Sequence, residues 1–517
     1  MLVFPLSISP VFTRLCCSGM LFFLMLPTPL GVGLNTRRLP APSGTFEFSP
    51  LARDAYQKVF SLRFGEAAVA LADLRRREPN NLIAPLVENH LDFLTVLVND
   101  DREEFERLAK KMEPRLARIA RGNRKSPWFL FSQAEIRLQW AILHGKYNAF
   151  LSSLSDIKQA YALLEQNRKE HPDFAPNLKS LGVIHAMVGA VPEEFRWTIK
   201  AMSGIQGTVE QGTRELGEVL EYARRHDFVF EDETRVAFAF LQLNLKNEKA
   251  DAWRILSSGK LEPAKNPVAA FAMAGLAMRT GRTDEAVRLL ESCPEGGVFH
   301  PFPYRYFLLG IAKLNRLDPD ADKPLLAFIK NFKGESGIKE ACQKLAWHQL
   351  VQGNESGYRS YMNQVKTAGN DRSESDKAAL QEALRDEVPD TRLLRARLLF
   401  DGGYYQRAYD LLRDAGGTYS GKQALEYGYR LGRIAHELGK TEQAERLYAQ
   451  TIENGAKNPA YFACNAALQL GILHEEQGNA TKARTAYQRC LELKPDEYRA
   501  SLHAKAKAGL ERMMNDE

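Results

Sequence analysis

Apolar residues in the C-terminal half of the chain recur at intervals of three and four positions, which is the spacing of one face of an α-helix. The pattern appears twice in succession, over residues 425–458 and 464–497. Each copy has a glycine in its first half, a second glycine at its centre, then an alanine and a tyrosine: Gly432, Gly439, Ala444 and Tyr448, followed by Gly471, Gly478, Ala483 and Tyr487. Each copy therefore predicts two amphipathic helices that meet at the central glycine, because small residues let helices approach closely.

This fixed spacing of small residues and turn, the repeat frame, extends upstream, over residues 267–372 and again from residue 389 to residue 497. Its turn positions fall at 281, 317, 353, 403, 439 and 478, so the intervals between them are 36, 36, 50, 36 and 39 residues. Leu317 replaces glycine at one of these turns. The long interval contains a polar insert, residues 373–388, for which we expect an extra helix and a loop. Regular spacing of this kind predicts a helical repeat architecture.

These units resemble the tetratricopeptide repeat, a helix-turn-helix unit of about 34 residues with small residues at fixed positions and a proline near its end. The resemblance implies an all-α solenoid, in which α-α units form a right-handed superhelix. It also implies that the first helices line a concave groove, which binds extended or helical peptides. We expect residues 498–517 to form a helix that caps the array.

The N-terminal half, residues 48–260, carries the pattern more weakly. Residues 48–81 fit the frame with Leu62 in place of the turn glycine. A glycine-rich stretch near residues 190–222 predicts a helix, a tight turn and a second helix, inserted between repeat-like units. It contains neither of the glycine patterns that cradle phosphates, so we expect no nucleotide and no other cofactor.

The insert suggests a second, more specific resemblance. A helix that ends at Gly189, then Pro192, an aromatic segment with Trp197 and a glycine-rich turn before "RELG" are similar to the central segment of the TPR-39-type family. Some members of that family are associated with inclusion-body clearance and with mitochondrial outer membranes. Exported tetratricopeptide proteins of Bacteroidetes-type bacteria are similar too. The resemblance implies an adaptor and no reaction.

Residues 1–33 differ from the rest of the chain, since Arg14 is their only charged side chain and their apolar stretch contains Pro27 and Pro29. The prolines disfavour a membrane-spanning helix, and the small residues after them suit a signal peptidase. We interpret this segment as a signal peptide, with an N-terminal anchor or a mis-assigned start as alternatives, and residues 34–47 as a linker. The protein would then be exported, periplasmic or membrane-associated, and otherwise cytoplasmic.

Composition and side-chain spacing give little sign of catalysis. A formal net charge of +6 on 517 residues is too diffuse to indicate nucleic-acid binding. The cysteines beyond the first segment have no CxxC spacing, and the histidines form no HExxH or other metal-binding pattern. No GxSxG is present. We therefore predict no catalytic residue, no metal ligand and no enzymatic activity, and keep a helical enzyme with a site assembled in the groove as the third alternative.

One segment, residues 106–125, is strongly basic. Its apolar residues recur at four, four and three, so we expect a helix with one face packed and a second face lined by Arg107, Lys111, Arg115 and Arg118. That face could dock an acidic partner or anionic lipid headgroups, which would make the protein a membrane-associated adaptor. The alternative is a solvated helix face that acidic stretches neutralise within the fold.

The leading hypothesis is a non-enzymatic scaffold that binds a partner peptide or helix in the groove. The second, fifth, ninth and twelfth positions of the last two units are expected to face that groove; they are Glu426, Tyr429, Arg433, His436, Asn465, Leu468, Ile472 and Glu475. This set does not reproduce the Lys and Asn clamp with which some tetratricopeptide proteins grip a C-terminal carboxylate. The sequence names no particular partner.

Overall fold

The computed structural model of the chain describes residues 44–191, 200 and 203–515. The predicted signal peptide or anchor, most of the predicted linker and the part of the glycine-rich insert that contains Trp197 lie outside the described residues. The chain divides into two compact units. The first comprises the described residues up to Leu276 with Arg288–Arg305 and Asn331–Glu335, and the second comprises Ala277–Val287, Tyr306–Lys330 and the described residues from Ser336 onward.

The first unit is built of α-helices. These are α1 (Pro50–Phe60), α2 (Phe64–Arg77), α3 (Ile83–Asn99), α4 (Arg102–Ala109), α5 (Met112–Ile119), α6 (Pro127–Lys146), α7 (Phe150–Glu170), α8 (Pro176–Gly189), α9 (Val209–Arg225), α10 (Glu231–Leu241) and α11 (Lys249–Ser257). A π-helical turn, Gln242–Lys246, extends α10. Helices α12 (Pro267–Arg279), α13 (Thr283–Glu291), α14 (Tyr304–Arg316) and α15 (Asp322–Asn331) contribute residues to both units.

The second unit continues the same architecture. Its helices are α16 (Ile338–Val351), α17 (Glu355–Thr367), α18 (Glu374–Arg385), α19 (Thr391–Asp401), α20 (Tyr405–Leu412), α21 (Gly421–Glu437), α22 (Thr441–Gly455), α23 (Phe462–Glu476), α24 (Ala480–Glu492) and α25 (Arg499–Asn515). Helix α18 lies within the polar insert. In residues 44–191 and 203–515 the only pairings outside helices and turns are two isolated bridges, Gly44 with Gly122 and Thr45 with Asn81. The all-α helix-turn-helix prediction is confirmed, whereas the superhelical hand stays a prediction.

Side-chain caps define where several helices begin. Ser126 is the N-cap of α6, and its hydroxyl accepts a hydrogen bond from the Trp128 N–H, while Pro127 occupies the first helical position. Thr208, Asp390 and Asn479 cap α9, α19 and α24 in the same way. A capping oxygen satisfies one of the backbone donors that the first helical turn leaves unpaired, and it stabilises a helix by about 1 kcal/mol.

The turns between paired helices share a left-handed backbone, whichever residue occupies them. At the predicted glycine turns φ ranges from 68° to 82°, and Leu62 and Leu317 adopt φ of 57° and 66° at the equivalent positions. A side chain in this region costs roughly 1–2 kcal/mol. Leu62 is fully buried, so the burial of its side chain compensates for that cost.

The sequence frame missed further turns of this kind in the first unit. Asp100 between α3 and α4, Asn148 between α6 and α7, and Asn247 before α11 all have positive φ, of 53°, 62° and 57°. Asn and Asp adopt this conformation more readily than other side chains, because their short polar groups bond the local backbone. Helix pairs joined by left-handed turns therefore recur through the first unit where no turn glycine indicates them.

Glycines bring the helices of a pair together where the repeat pattern predicts small residues. A Cβ placed on Gly471 would lie 2.5 Å from the ring of Tyr487, and one on Gly432 would lie 2.9 Å from the ring of Tyr448. Both tyrosine rings are fully buried. In the glycine-rich insert, Gly212 of α9 would likewise meet the backbone of α8 at 2.3 Å. These contacts explain why larger residues are excluded from the positions.

None of the helices in the described part of the chain combines the length and the apolar composition that a bilayer-spanning helix needs.

Candidate functional site

The second unit contains a cavity of about 300 Å³, formed by the first helices of three consecutive helix pairs and by the C-terminal helix. Its lining residues are Ala396, Arg397, Phe400 and Asp401 of α19; Tyr429, Arg430 and Arg433 of α21; Tyr461 and Asn465 at the start of α23; and Tyr498, Ser501, Leu502 and Lys505 of α25 and the turn before it. Residues three and four apart share one helix face, so each helix presents a short row of side chains to the cavity.

The lining is strongly cationic. It contains one carboxylate, that of Asp401, and four cations: Arg397, Arg430, Arg433 and Lys505. Arg430 is paired with Glu426, whose Oε1 accepts hydrogen bonds of 2.7 and 2.5 Å from the guanidinium. Arg397 lies 3.8 Å from Asp401. Two of the four cations therefore have acidic partners along their own helices.

The other two cations, Arg433 and Lys505, have no carboxylate within salt-bridge distance among the residues that the structure describes. Arg433 donates a hydrogen bond to the Tyr429 hydroxyl oxygen at 3.1 Å, and its guanidinium lies over the Phe400 ring at 4.8 Å. Burial lowers the pKa of the Lys505 ammonium, and repulsion from the Arg433 guanidinium lowers that pKa further. Burial lowers the pKa of the Arg433 guanidinium, but Tyr429, Tyr448 and Glu437 raise it by more, so Arg433 is partly compensated by its surroundings. Lys505 is the cation of the cavity with the weaker compensation.

Tyr429 is the polar centre of the cavity wall. Its side chain is 6% exposed, and its hydroxyl oxygen accepts hydrogen bonds from Arg433 and, at 2.7 Å, from the Asn465 amide. Both contacts use lone pairs of the oxygen, so the hydroxyl proton is still available to donate. No acceptor for it is present in the described part of the chain. This wall is rich in donors and poor in acceptors.

Aromatic rings form a further part of the cavity wall. Tyr461 packs against Phe462 at 4.5 Å and against Tyr498 at 5.0 Å between ring centroids. Burial raises the pKa of Tyr461 to about 12, so its hydroxyl stays protonated at physiological pH. Tyr498 is 52% exposed and adopts φ of 57°. A bulky residue in this backbone region carries strain of roughly 1–3 kcal/mol, and such strain is often found at binding sites.

Three of the eight predicted groove residues line this cavity, namely Tyr429, Arg433 and Asn465. Glu426 is adjacent and pairs with Arg430. His436 lies elsewhere, and its Nε2 is 2.9 Å from Glu476.

The last three predicted groove residues also lie away from the cavity. Leu468 is 1% exposed within a hydrophobic cluster, so it offers no surface to a ligand, contrary to our expectation. Ile472 packs against the same cluster. Glu475 accepts hydrogen bonds from Tyr487 and Arg512. A role in partner binding stays a prediction for the seven residues other than Leu468.

Two of the lining residues that we missed were within reach of the sequence pattern. Arg397 and Phe400 occupy the ninth and twelfth positions of the unit at residues 389–422, the positions that correspond to Arg433 and His436 in the next unit. Tyr498 and Lys505 had no comparable signal, because they belong to the turn and helix that follow the last unit.

The basic segment differs from the expected single helix, and its predicted cations have acidic partners within the fold. It is split into α4 and α5, and Arg115 is 8% exposed, with its guanidinium 2.5 Å from Asp92 and 3.8 Å from Glu88. The other predicted cations are also paired: Lys111 with Asp92 at 3.4 Å, Arg118 with Glu88 at 3.7 Å and Arg107 with Glu104 at 3.3 Å. Acidic residues of α3 and α4 therefore neutralise this face within the first unit.

A second polar cluster is buried in the first unit and has no sequence signature. Ligand-type atoms of His90, Glu135 and Glu233 lie within 4.8 Å of one another. The Lys179 ammonium donates to both carboxylates at 2.7 Å, and the Tyr56 hydroxyl donates to Glu233 at 3.0 Å. Lys179 already supplies positive charge between the carboxylates, so the cluster has the chemistry of a buried ion pair. Its residues lie on separate helices, which explains why sequence spacing does not indicate it.

The site and the fold together define a helical-repeat protein with a cationic, aromatic cavity in its last repeats. Residues 465–497 match the family model described as Tetratricopeptide repeat. The prediction of a tetratricopeptide-type protein is thus confirmed on its last unit, whereas the resemblances to the TPR-39-type family and to exported Bacteroidetes proteins are not confirmed. No curated protein matches the chain.

Among solved structures, the chain is similar to one of Naa15/Naa10 bound to HypK-THB. The identity is 14%, the match covers 89% of this chain and 65% of that chain, and the TM-score is 0.22. The chain therefore spans slightly less than two thirds of the length of the protein that it matches. A TM-score of this size does not define a shared overall shape.

Proposed function

We propose that the protein is a non-catalytic interaction scaffold, which holds a peptide or short helix of a partner protein in the cavity of its second unit. One observation carries the proposal: the first helices of three consecutive helix pairs and the C-terminal helix converge on one concave site, which is lined by aromatic and cationic side chains. Aromatic residues and arginine are the side chains enriched where proteins bind one another. The match to the tetratricopeptide repeat supports a protein partner.

The two alternatives have less support. A membrane-associated adaptor that used residues 106–125 would need cations without acidic partners, and Arg107, Lys111, Arg115 and Arg118 all lie within salt-bridge distance of carboxylates of the first unit. A helical enzyme would need a paired acid and base, or a nucleophile beside a histidine base, at the cavity. Its lining contains one carboxylate and no histidine or cysteine.

The test is a variant that fills the cavity without changing its charge. Ser501 lines the cavity from α25, so Ser501→Trp would occupy the space of a bound side chain. Ala508 is exposed on the same helix and does not line the cavity, so Ala508→Trp is the matched control. Circular dichroism and thermal unfolding would establish that both variants fold.

Affinity capture from native cells with quantitative mass spectrometry would compare the two variants with the wild type. We expect partners that the wild type and Ala508→Trp retain to be lost from Ser501→Trp. If folded Ser501→Trp retained every partner, the cavity would not be the binding site.

A further inference from the structure

The charges of the cavity favour an anionic ligand. Arg433 and Lys505 face the same space, lack carboxylate partners in the described part of the chain, and repel each other. Charges in a partly desolvated site interact more strongly than in water. A bound anion between them would relieve their repulsion, whereas a neutral or cationic group would leave it in place.

The hydrogen-bonding groups indicate the same class of ligand. Tyr429 receives two N–H donors and still has its own proton to give, and Arg433 has further N–H groups beyond the one that bonds Tyr429. An oxygen atom that accepts several hydrogen bonds would satisfy these donors together. Carboxylates and phosphates both provide such oxygens, and hydrogen bonds to charged acceptors are stronger than neutral ones.

The remaining wall favours a carboxylate. The single lining carboxylate, Asp401, would repel a dianionic phosphate more than a singly charged group. The rings of Phe400, Tyr461 and Tyr498 offer apolar surface to the methylene groups of a peptide side chain. A volume of about 300 Å³ accommodates one such side chain with a short length of backbone.

We propose that this cavity binds the carboxylate of a glutamate or aspartate side chain, carried by an acidic segment of the partner protein. The inference rests on the proposed scaffold function and specifies its ligand. Arg433 and Lys505 hold the carboxylate by charge, and Tyr429 donates to it.

The probe is a fluorescein-labelled hexaglutamate peptide with a blocked N-terminus and an amidated C-terminus, titrated into the full-length protein by fluorescence polarisation. Hexaglutamine of the same design is the neutral comparison, and a peptide with phosphoserine in place of glutamate is the phosphate comparison. We expect hexaglutamate to bind at least about tenfold more tightly than hexaglutamine, and its affinity to fall as salt is added.

Lys505→Gln is the decisive variant, because Lys505 lines the cavity and makes no hydrogen bond or ion pair in the described residues. It should weaken hexaglutamate binding by about tenfold, Arg433→Gln should do the same, and Lys505→Arg should restore binding. Arg499→Gln, on the same helix and outside the lining, removes the same charge and should change the affinity by less than about twofold.

Three outcomes would overturn the proposal. They are equal binding of hexaglutamate and hexaglutamine, an equal loss in Arg499→Gln and Lys505→Gln, and tighter binding of the phosphoserine peptide, which would assign the site to phosphate. The scaffold function is tested separately by cellular partners. If Ser501→Trp loses them while Lys505→Gln keeps them, the scaffold stands and the carboxylate ligand is wrong; if Ser501→Trp keeps them, the scaffold itself fails.

Discussion

Replacing Gly471 with alanine tests how tightly the last repeat is packed. The added Cβ would lie 2.5 Å from two atoms of the Tyr487 ring. To reach an ordinary contact distance, the ring would have to retreat by roughly 1 Å. It has little room to do so, because a Cβ on Gly509 of α25 would also meet this ring at 2.5 Å. Tyr487 is therefore held between two glycines on neighbouring helices.

The size of the effect follows from two opposing terms. Overpacking a buried site costs about 1–3 kcal/mol, and displacement of the ring would also disturb the hydrogen bond from the Tyr487 hydroxyl to Glu475. Alanine is favoured over glycine in a helix by about 0.5–1 kcal/mol, which offsets part of this cost. We expect Gly471→Ala to lower the free energy of unfolding by about 1–2 kcal/mol.

Urea unfolding followed by circular dichroism measures this difference, and Gly217→Ala in α9 is the control. A Cβ on Gly217 has nothing within 4 Å, so the same substitution there should stabilise the protein by about 0.5–1 kcal/mol. Because Gly471 and Gly509 contact one ring, the double alanine variant should deviate from additivity. If Gly471→Ala were as stable as the wild type, tight packing around Tyr487 would not explain why glycine is present.

The buried polar cluster and the cysteines give three further predictions. Lys179→Met should lower the free energy of unfolding by about 3–5 kcal/mol in urea titrations, because it leaves Glu135 and Glu233 charged without a cation between them. The triple variant that also carries Glu135→Gln and Glu233→Gln should recover part of this loss. Burial lowers the pKa of His90, so the folded state binds fewer protons than the unfolded state. The free energy of unfolding should therefore fall as the pH drops below about 6.5. If His90→Leu left the pH dependence of the free energy of unfolding unchanged, this explanation would be wrong. Burial also raises the pKa of the Cys293 thiol to about 11, so Cys293 should react with an aromatic disulfide reagent at pH 8 far more slowly in the folded protein than in urea, and equal rates would refute its burial.

The sequence predicted the repeat architecture well because the repeat is a local pattern. Helix periodicity, small residues at the helix contact and a turn residue all lie within one unit, so each is visible as spacing. The turns that lacked glycine were harder to predict. Leu62 and Leu317 adopt the left-handed backbone because packing imposes it, and no rule of local propensity indicates a leucine there.

The cavity and the basic segment depend on contacts between helices, which spacing alone does not predict. The cationic side of α5 looked accessible in the sequence, but the partners of Arg115 are Glu88 and Asp92, more than one helix away along the chain. The groove frame identified Tyr429 and Arg433, while Leu468, at an equivalent frame position, is buried. A repeat frame assigns a residue to a face of its own helix, and the neighbouring helices decide whether that face is open.

Helix α25 connects the stability of the last repeat with the composition of the cavity. Its buried face carries Leu502, Ala506 and Met513 into the hydrophobic cluster around Tyr487, while its other face supplies Lys505 to the cavity. Residues 465–497 complete the matched repeat before this helix begins, so the uncompensated Lys505 is not a product of the repeat pattern. Because one helix both covers the core and provides the cation, a ligand that pairs with Lys505 also stabilises the docking of α25 on the last repeat. We therefore expect binding of the proposed carboxylate ligand to raise the stability of this end of the protein.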